Sequence, residues 1–149
     1  CMGVSSAGLS ERKYTEVTYT MTLALAATLY SIHPGMVFCY VSGAGTDSSE
    51  KGRMMWARVK GKTENRILNM GFKGAYAFRP GVILPERGIK SKTKSYNAMY
   101  VLVRPLFPLL KRMKSITTSS KLGRAMIHVY HHPQQKKHLG GADINKLTG

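Results

Sequence analysis

Met36-Val37-Phe38-Cys39-Tyr40-Val41, running into Ser42-Gly43-Ala44-Gly45-Thr46-Asp47, is the stretch whose reading decides the fold. The first half is apolar without alternation, which suits a strand buried on both faces, as in a parallel sheet. The second half is a loop of small residues, which lets a ligand approach backbone N–H groups closely. Upstream, Ser10 is a good N-cap, and Glu11 suits the positive end of a helix. Tyr14, Val17, Thr18, Met21, Leu25 and Leu29 then recur at helical spacing, and His33-Pro34-Gly35 stops the run. Before that helix, the opening residues through Gly8 read as the end of a strand leading into a loop.

Downstream, a second helix is expected over residues 50–69, with Met55, Val59, Thr63 and Ile67 on one face and Gly71 as its stop. Ala75-Tyr76-Ala77-Phe78 is the next strand, ended by Arg79-Pro80-Gly81. Residues 95–103 can be helical, and Pro105 and Pro108 break what continues. Thr117-Thr118-Ser119-Ser120 can cap a last helix over 121–131. The expected fold class is therefore α/β: a Rossmann-type parallel sheet with crossover helices. Residues 1–131 form the domain, and 132–149 are expected to be a polar tail open to disorder.

Composition narrows the function classes. The chain has 149 residues, 43% of them hydrophobic, which suits one domain with a real core. Lys+Arg is 23 against 7 Asp+Glu, a formal charge of +16 that favours anionic partners. The excess is concentrated. Between Arg87 and Ala142 there is no acidic residue, while Arg87, Lys90, Lys92, Lys94, Arg104, Lys111, Arg112, Lys114, Lys121, Arg124, Lys136 and Lys137 all fall there. That stretch is either a solvated basic surface or a face for nucleic acid or an anionic membrane surface. Two cysteines, Cys1 and Cys39, make no disulfide framework and suit a reducing compartment. No apolar run is long enough to span a bilayer. The expected setting is cytoplasmic, with peripheral membrane association left open. His128, His131 and His132 share a helix end but have no Cys or carboxylate beside them, so no metal is expected there.

In open α/β sheets, ligands sit beyond the carboxyl ends of the strands. Three such loops are in view: residues 3–8, 42–47 and 79–84. Taken with Tyr40-Val41-Ser42-Gly43-Ala44-Gly45, then Trp56-Ala57-Arg58-Val59-Lys60-Gly61-Lys62-Thr63-Glu64, then Phe78-Arg79-Pro80-Gly81, the chain resembles an atypical, extended short-chain dehydrogenase/reductase of the epimerase-like kind, over residues 1 to about 131.

The resemblance implies NAD or NADP as cofactor and a small-molecule substrate, with a homodimer as one assembly. Family members carry a GxxGxxG loop after their first strand. It does not occur here, so the expectation is a start inside a longer reading frame, with the first three β/α units absent. Gly3 and Val4 match the loop beside the adenosine ribose and phosphates. Ser42 matches the serine that hydrogen-bonds the substrate oxygen. Lys60 matches the lysine that holds the nicotinamide ribose, and Pro80, Gly81 and Val82 match the loop beside the nicotinamide.

The family pattern Tyr-x-x-x-Lys reads Trp56-x-x-x-Lys60 in this chain. The i,i+4 spacing keeps both on one helix face. An indole donates one N–H and does not titrate, so it cannot serve as the general acid. Tyr40 and Tyr76 are the candidate substitutes. The expected function is thus an NAD(P)-binding oxidoreductase- or epimerase-like protein, weakly active or inactive as this chain. The alternatives are a non-catalytic NADP-sensing or partner-binding module, and a basic protein that binds nucleic acid or membrane.

Overall fold

The computed structural model describes residues 4–84, 86 and 116–149. Its first helical run begins at Ser10, whose hydroxyl accepts the Lys13 N–H. It comprises α1 (Glu11–Thr15), a π-helical turn (Glu16–Thr20) and α2 (Met21–Ile32), and stops at His33 as expected. Val4 to Gly8 are irregular and end in a turn, as the loop part of that reading expects, while its strand part falls on residues outside the described ones. Gly3 and the residues before it lie outside the described residues.

β1 (Val37–Val41) follows, then α3 (Met55–Leu68) and β2 (Gly74–Arg79). α3 starts five residues later than the apolar periodicity suggests, for a local reason. Asp47 takes the Ser49 N–H at 2.9 Å and the Gly52 N–H at 2.6 Å, folding the preceding residues into a side-chain-capped loop. Arg58 closes that loop by donating to the carbonyls of Gly52 (2.8 Å) and Arg53 (3.0 Å). It also pairs with Glu11 at 2.9 Å, tying α1 to α3.

The remaining described elements are β3 (Val82–Leu84), β4 (Ile116–Thr118), α4 (Ser119–His131), β5 (His138–Gly140) and α5 (Gly141–Leu147). Thr118 caps α4 through the Lys121 N–H, two residues before the start read from sequence. The expected helix over 95–103 lies outside the described residues.

β1, β2 and β5 form a parallel sheet in that order, and β3 and β4 form a second, two-stranded parallel sheet. The sheet is covered on both sides, as parallel sheets must be. Alternation sends Tyr76, Phe78 and Leu139 to one face, where Ala125 and Val129 of α4 and Ile144 of α5 meet them. Ala75 and the half-buried Phe38 and Tyr40 face the other way, against Ala26 of α2 and Ile67 of α3. Val59, Thr63 and Ile67 are all buried, so the α3 face read from sequence stands.

Two expectations change. β1, read as buried on both faces, is an edge strand among the described residues; the strand buried along nearly all its length is β2. The segment 132–149, read as a polar tail, supplies β5 and α5. Leu139 and Ile144 are fully engaged in the core and Leu147 packs against it, which decides the matter. Among the described residues no helix is long and apolar enough to cross a membrane.

Gly61 marks the tightest contact between α3 and the loop after β1. A Cβ there would land on the Asp47 carbonyl, a backbone atom that cannot swing away. Glycine to alanine in a helix ordinarily gains about 0.5–1 kcal/mol. Forced overpacking costs about 1–3 kcal/mol, and more against backbone, so the clash wins. Gly61→Ala is expected to lower the urea midpoint without changing the slope; an unchanged or raised midpoint would refute this packing.

Candidate functional site

The register that pairs Val41 with Phe78 brings the carboxyl ends of β1 and β2 level. The residues after each strand therefore meet. Ser42 donates its N–H to the Phe78 carbonyl at 2.9 Å, and Ala44 donates to the Pro80 carbonyl at 2.8 Å. α3 then runs back across the same face, presenting Lys60 and Glu64 one turn apart. Lys60 Nζ donates to the Ser42 carbonyl, and the buried Ser42 hydroxyl donates to Glu64 Oε1.

Glu64 is the centre of this group. Its side chain is completely buried, and Arg79, the last residue of β2, closes on it as a fork. Arg79 Nε lies 3.0 and 3.2 Å from the two carboxylate oxygens, Nη2 pairs with Oε2, and Nη2 also reaches Ser48 Oγ. Such two-pronged pairing is the strong form of the interaction. From β5, His138 brings Nε2 to 3.6 Å from Glu64 Oε2; that nitrogen is buried with no hydrogen-bond partner among the described residues. The carboxyl ends of β1 and β2, the middle of α3 and the start of β5 thus each contribute a side chain to one buried polar cluster.

The electrostatics follow from burial. Lys60 is held below the usual lysine range, chiefly because its ammonium is partly desolvated, with Glu64 opposing that effect. His138 is also lowered, first by burial and then by the Arg79 guanidinium, with Lys136 adding and Glu64 opposing. Burial raises Tyr40, despite a hydrogen bond with Thr63, and pushes the Cys39 thiol up to about 11. A thiol in that state is packing rather than nucleophile.

Of the residues read from sequence, Ser42, Lys60 and Pro80 come together here. Gly81 and Val82 follow Pro80 and are exposed. Val4 is exposed in an irregular segment, and Gly3 lies outside the described residues. Trp56 is half-buried and lies over Gly45, where an added Cβ would come within 3.3 Å of the indole. Neither candidate tyrosine takes the place of Trp56. Tyr76 belongs to the opposite face of the sheet, its hydroxyl accepting the Gln134 N–H at 2.8 Å. Tyr40 shares the α3 face, but its half-buried hydroxyl is engaged with Thr63, and desolvation raises its titration, which makes it a poorer acid.

Sequence reasoning missed Glu64, Arg79 and His138 as partners. The signal for Glu64 was present: an acid four residues after Lys60, adjoining the apolar face of α3. His138 gave none, since it pairs in space with a strand far away in the chain. The described fold defines the class as an α/β protein with a small parallel sheet between helices. No protein-family model matches this chain, and a search of curated proteins returned no match.

Removing one member of a buried ion pair strands the other charge, at a cost of about 3–5 kcal/mol. Arg79→Met is expected to destabilise on that scale, measured by urea unfolding, and a loss under about 1 kcal/mol would refute the burial of this pair. The pH dependence carries a sign. A histidine lowered in the folded state contributes stability above its ordinary value of about 6.5, and loses it as the pH falls toward the lowered value. Stability should therefore drop as the pH falls below about 6.5, and His138→Gln should flatten that drop. Parallel profiles for the two proteins would count against this placement of His138.

Proposed function

We propose that this chain forms the substrate- and nicotinamide-facing side of a Rossmann-type NAD(P)-binding protein of the atypical short-chain dehydrogenase/reductase type, and that it binds the dinucleotide with weak or no turnover. The observation that carries the reading is the convergence of Ser42, Lys60 and Pro80 beyond the carboxyl ends of two parallel strands, where open α/β sheets hold their ligands.

The donor chemistry fits the nicotinamide half of such a cofactor. Lys60 gives one of its three N–H donors to the Ser42 carbonyl, and no other partner takes the remaining two among the described residues. Those two suit ribose hydroxyls. The exposed Gly81, just before β3, leaves room for a carboxamide beside Pro80. Bound there, a reduced nicotinamide supplies hydride.

What this chain lacks is the proton. In this family's chemistry a substrate oxygen needs a proton or a strong hydrogen bond as its charge develops. The Ser42 proton is committed to Glu64, the Trp56 indole does not titrate, and the Tyr40 hydroxyl is engaged with Thr63. Binding without efficient turnover is what these groups support. Most of the basic stretch, Arg87 to Lys114, lies outside the described residues; of its described members, Lys136 is paired with Asp143 at 2.8 Å and Lys137 lies 4.6 Å over the Tyr76 ring.

NADPH and NADH fluorescence titrations test this directly. Saturable binding of at least one of the two is expected, weakened about tenfold in Lys60→Met, which corresponds to 1.4 kcal/mol. Trp56→Tyr restores a titrating hydroxyl beside Lys60 and is expected to raise carbonyl reduction above the unsubstituted chain. No saturable signal with either cofactor would overturn the proposal.

A further inference from the structure

A cleft of about 100 Å³ lies between β4, α4 and α5, lined by Glu86, Ile116, Thr117, Thr118, Lys121, Arg124 and Asn145. None of these elements supplies Ser42, Lys60 or Glu64. Two of its polar atoms are buried and have no hydrogen-bond partner among the described residues: the Thr117 hydroxyl and Asn145 Oδ1. Thr117 itself is 1% exposed. Buried polar groups in folded proteins are almost always satisfied, so two orphans in one cleft point to an occupant.

The chemistry of that occupant can be read from the walls. Asn145 Nδ2 donates to the Ile116 carbonyl at 2.8 Å, which orients the amide so that Oδ1 is the orphan acceptor. Its partner must therefore be a donor. The Thr117 hydroxyl can donate to an anionic oxygen or accept from a hydroxyl. Lys121 and Arg124 stand three residues apart on α4 and so flank the same side of the cleft. Both come from the stretch without acidic residues. The α4 N-terminus is not itself the anion site, because Glu86 Oε2 already accepts the Ser120 N–H at 3.3 Å and Thr118 accepts that of Lys121. Positive charge for a ligand thus comes from the Lys121 and Arg124 side chains, while a ligand hydroxyl answers Asn145 and is tolerated beside the Glu86 carboxylate.

We propose that this cleft binds a small anion bearing hydroxyl groups, of the polyol-phosphate class, with its charged end toward Lys121 and Arg124 and a hydroxyl on Asn145 Oδ1. The site is independent of the dinucleotide reading.

Glycerol 3-phosphate is a suitable probe, titrated at constant ionic strength and followed by amide NMR shifts, with inorganic phosphate and glycerol as separate arms. Saturable shifts clustered at residues 116–124 and 145 are expected, with either fragment alone binding about tenfold more weakly or worse. Thr117→Val preserves shape and is expected to weaken binding by a similar factor while its unfolding temperature holds or rises. Lys121→Ala with Arg124→Ala should abolish saturation. Shifts that never saturate or spread over the whole basic surface would overturn the proposal. So would phosphate binding as tightly as glycerol 3-phosphate, or unchanged affinity in a folded Thr117→Val protein.

Discussion

A carboxylate with no access to water organises this molecule. Glu64 sits at the middle of α3, completely buried, and must be held by donors that arrive from elsewhere in the chain. Arg79 comes from the end of β2 and Ser42 from the end of β1. The pair can form only if the two strands are parallel, level at their carboxyl ends and crossed by α3. That requirement couples the register of the sheet to the placement of the helix. An apolar cluster of the same volume could be as stable, but it would tolerate a slip that this geometry does not.

The same coupling shapes the chemistry of the site. Ser42 and Lys60 lie together beyond the carboxyl end of β1, and each is part of the scaffold: one donates to Glu64, the other to the Ser42 carbonyl. Groups occupied in this way are well positioned and poorly available. Trp56, half-buried over Gly45, brings no titrating group to this edge.

The two faces of the sheet divide the work. Against α2 and α3, the interior is polar at one end and apolar at the other, with Phe72 packed against both Tyr30 and Phe38. Against α4 and α5, the interior is apolar throughout, and the polar atoms left unanswered lie at its border with the second sheet. α2 is an unusual covering element. It has no charged residue from Met21 to Ile32, yet Met21, Leu25 and Ile32 remain exposed along one stripe. Beside it, β1 is an edge strand among the described residues, so the least protected backbone and the least polar helix surface belong to the same half of the molecule.

The local elements were legible because their causes are local. The Ser10 cap, the His33-Pro34 stop, the apolar runs of β1 and β2, and the 3.6-residue face of α3 each depend on neighbours within a few positions. Ser42, Lys60 and Pro80 were singled out through a resemblance, and that they meet rests on contacts far apart in the chain. Tertiary structure alone decided the rest. β5 has three residues, too few for a pattern, and exists because the exposed side of β2 needed a partner. The delayed start of α3 came from Asp47 folding the loop onto itself. Most of all, nothing in the order of residues says that Glu64, Ser42, Arg79 and His138 share one pocket. A buried charge declares its partners only when the chain has closed around it, because the cost that selects them is desolvation, and desolvation belongs to the folded whole.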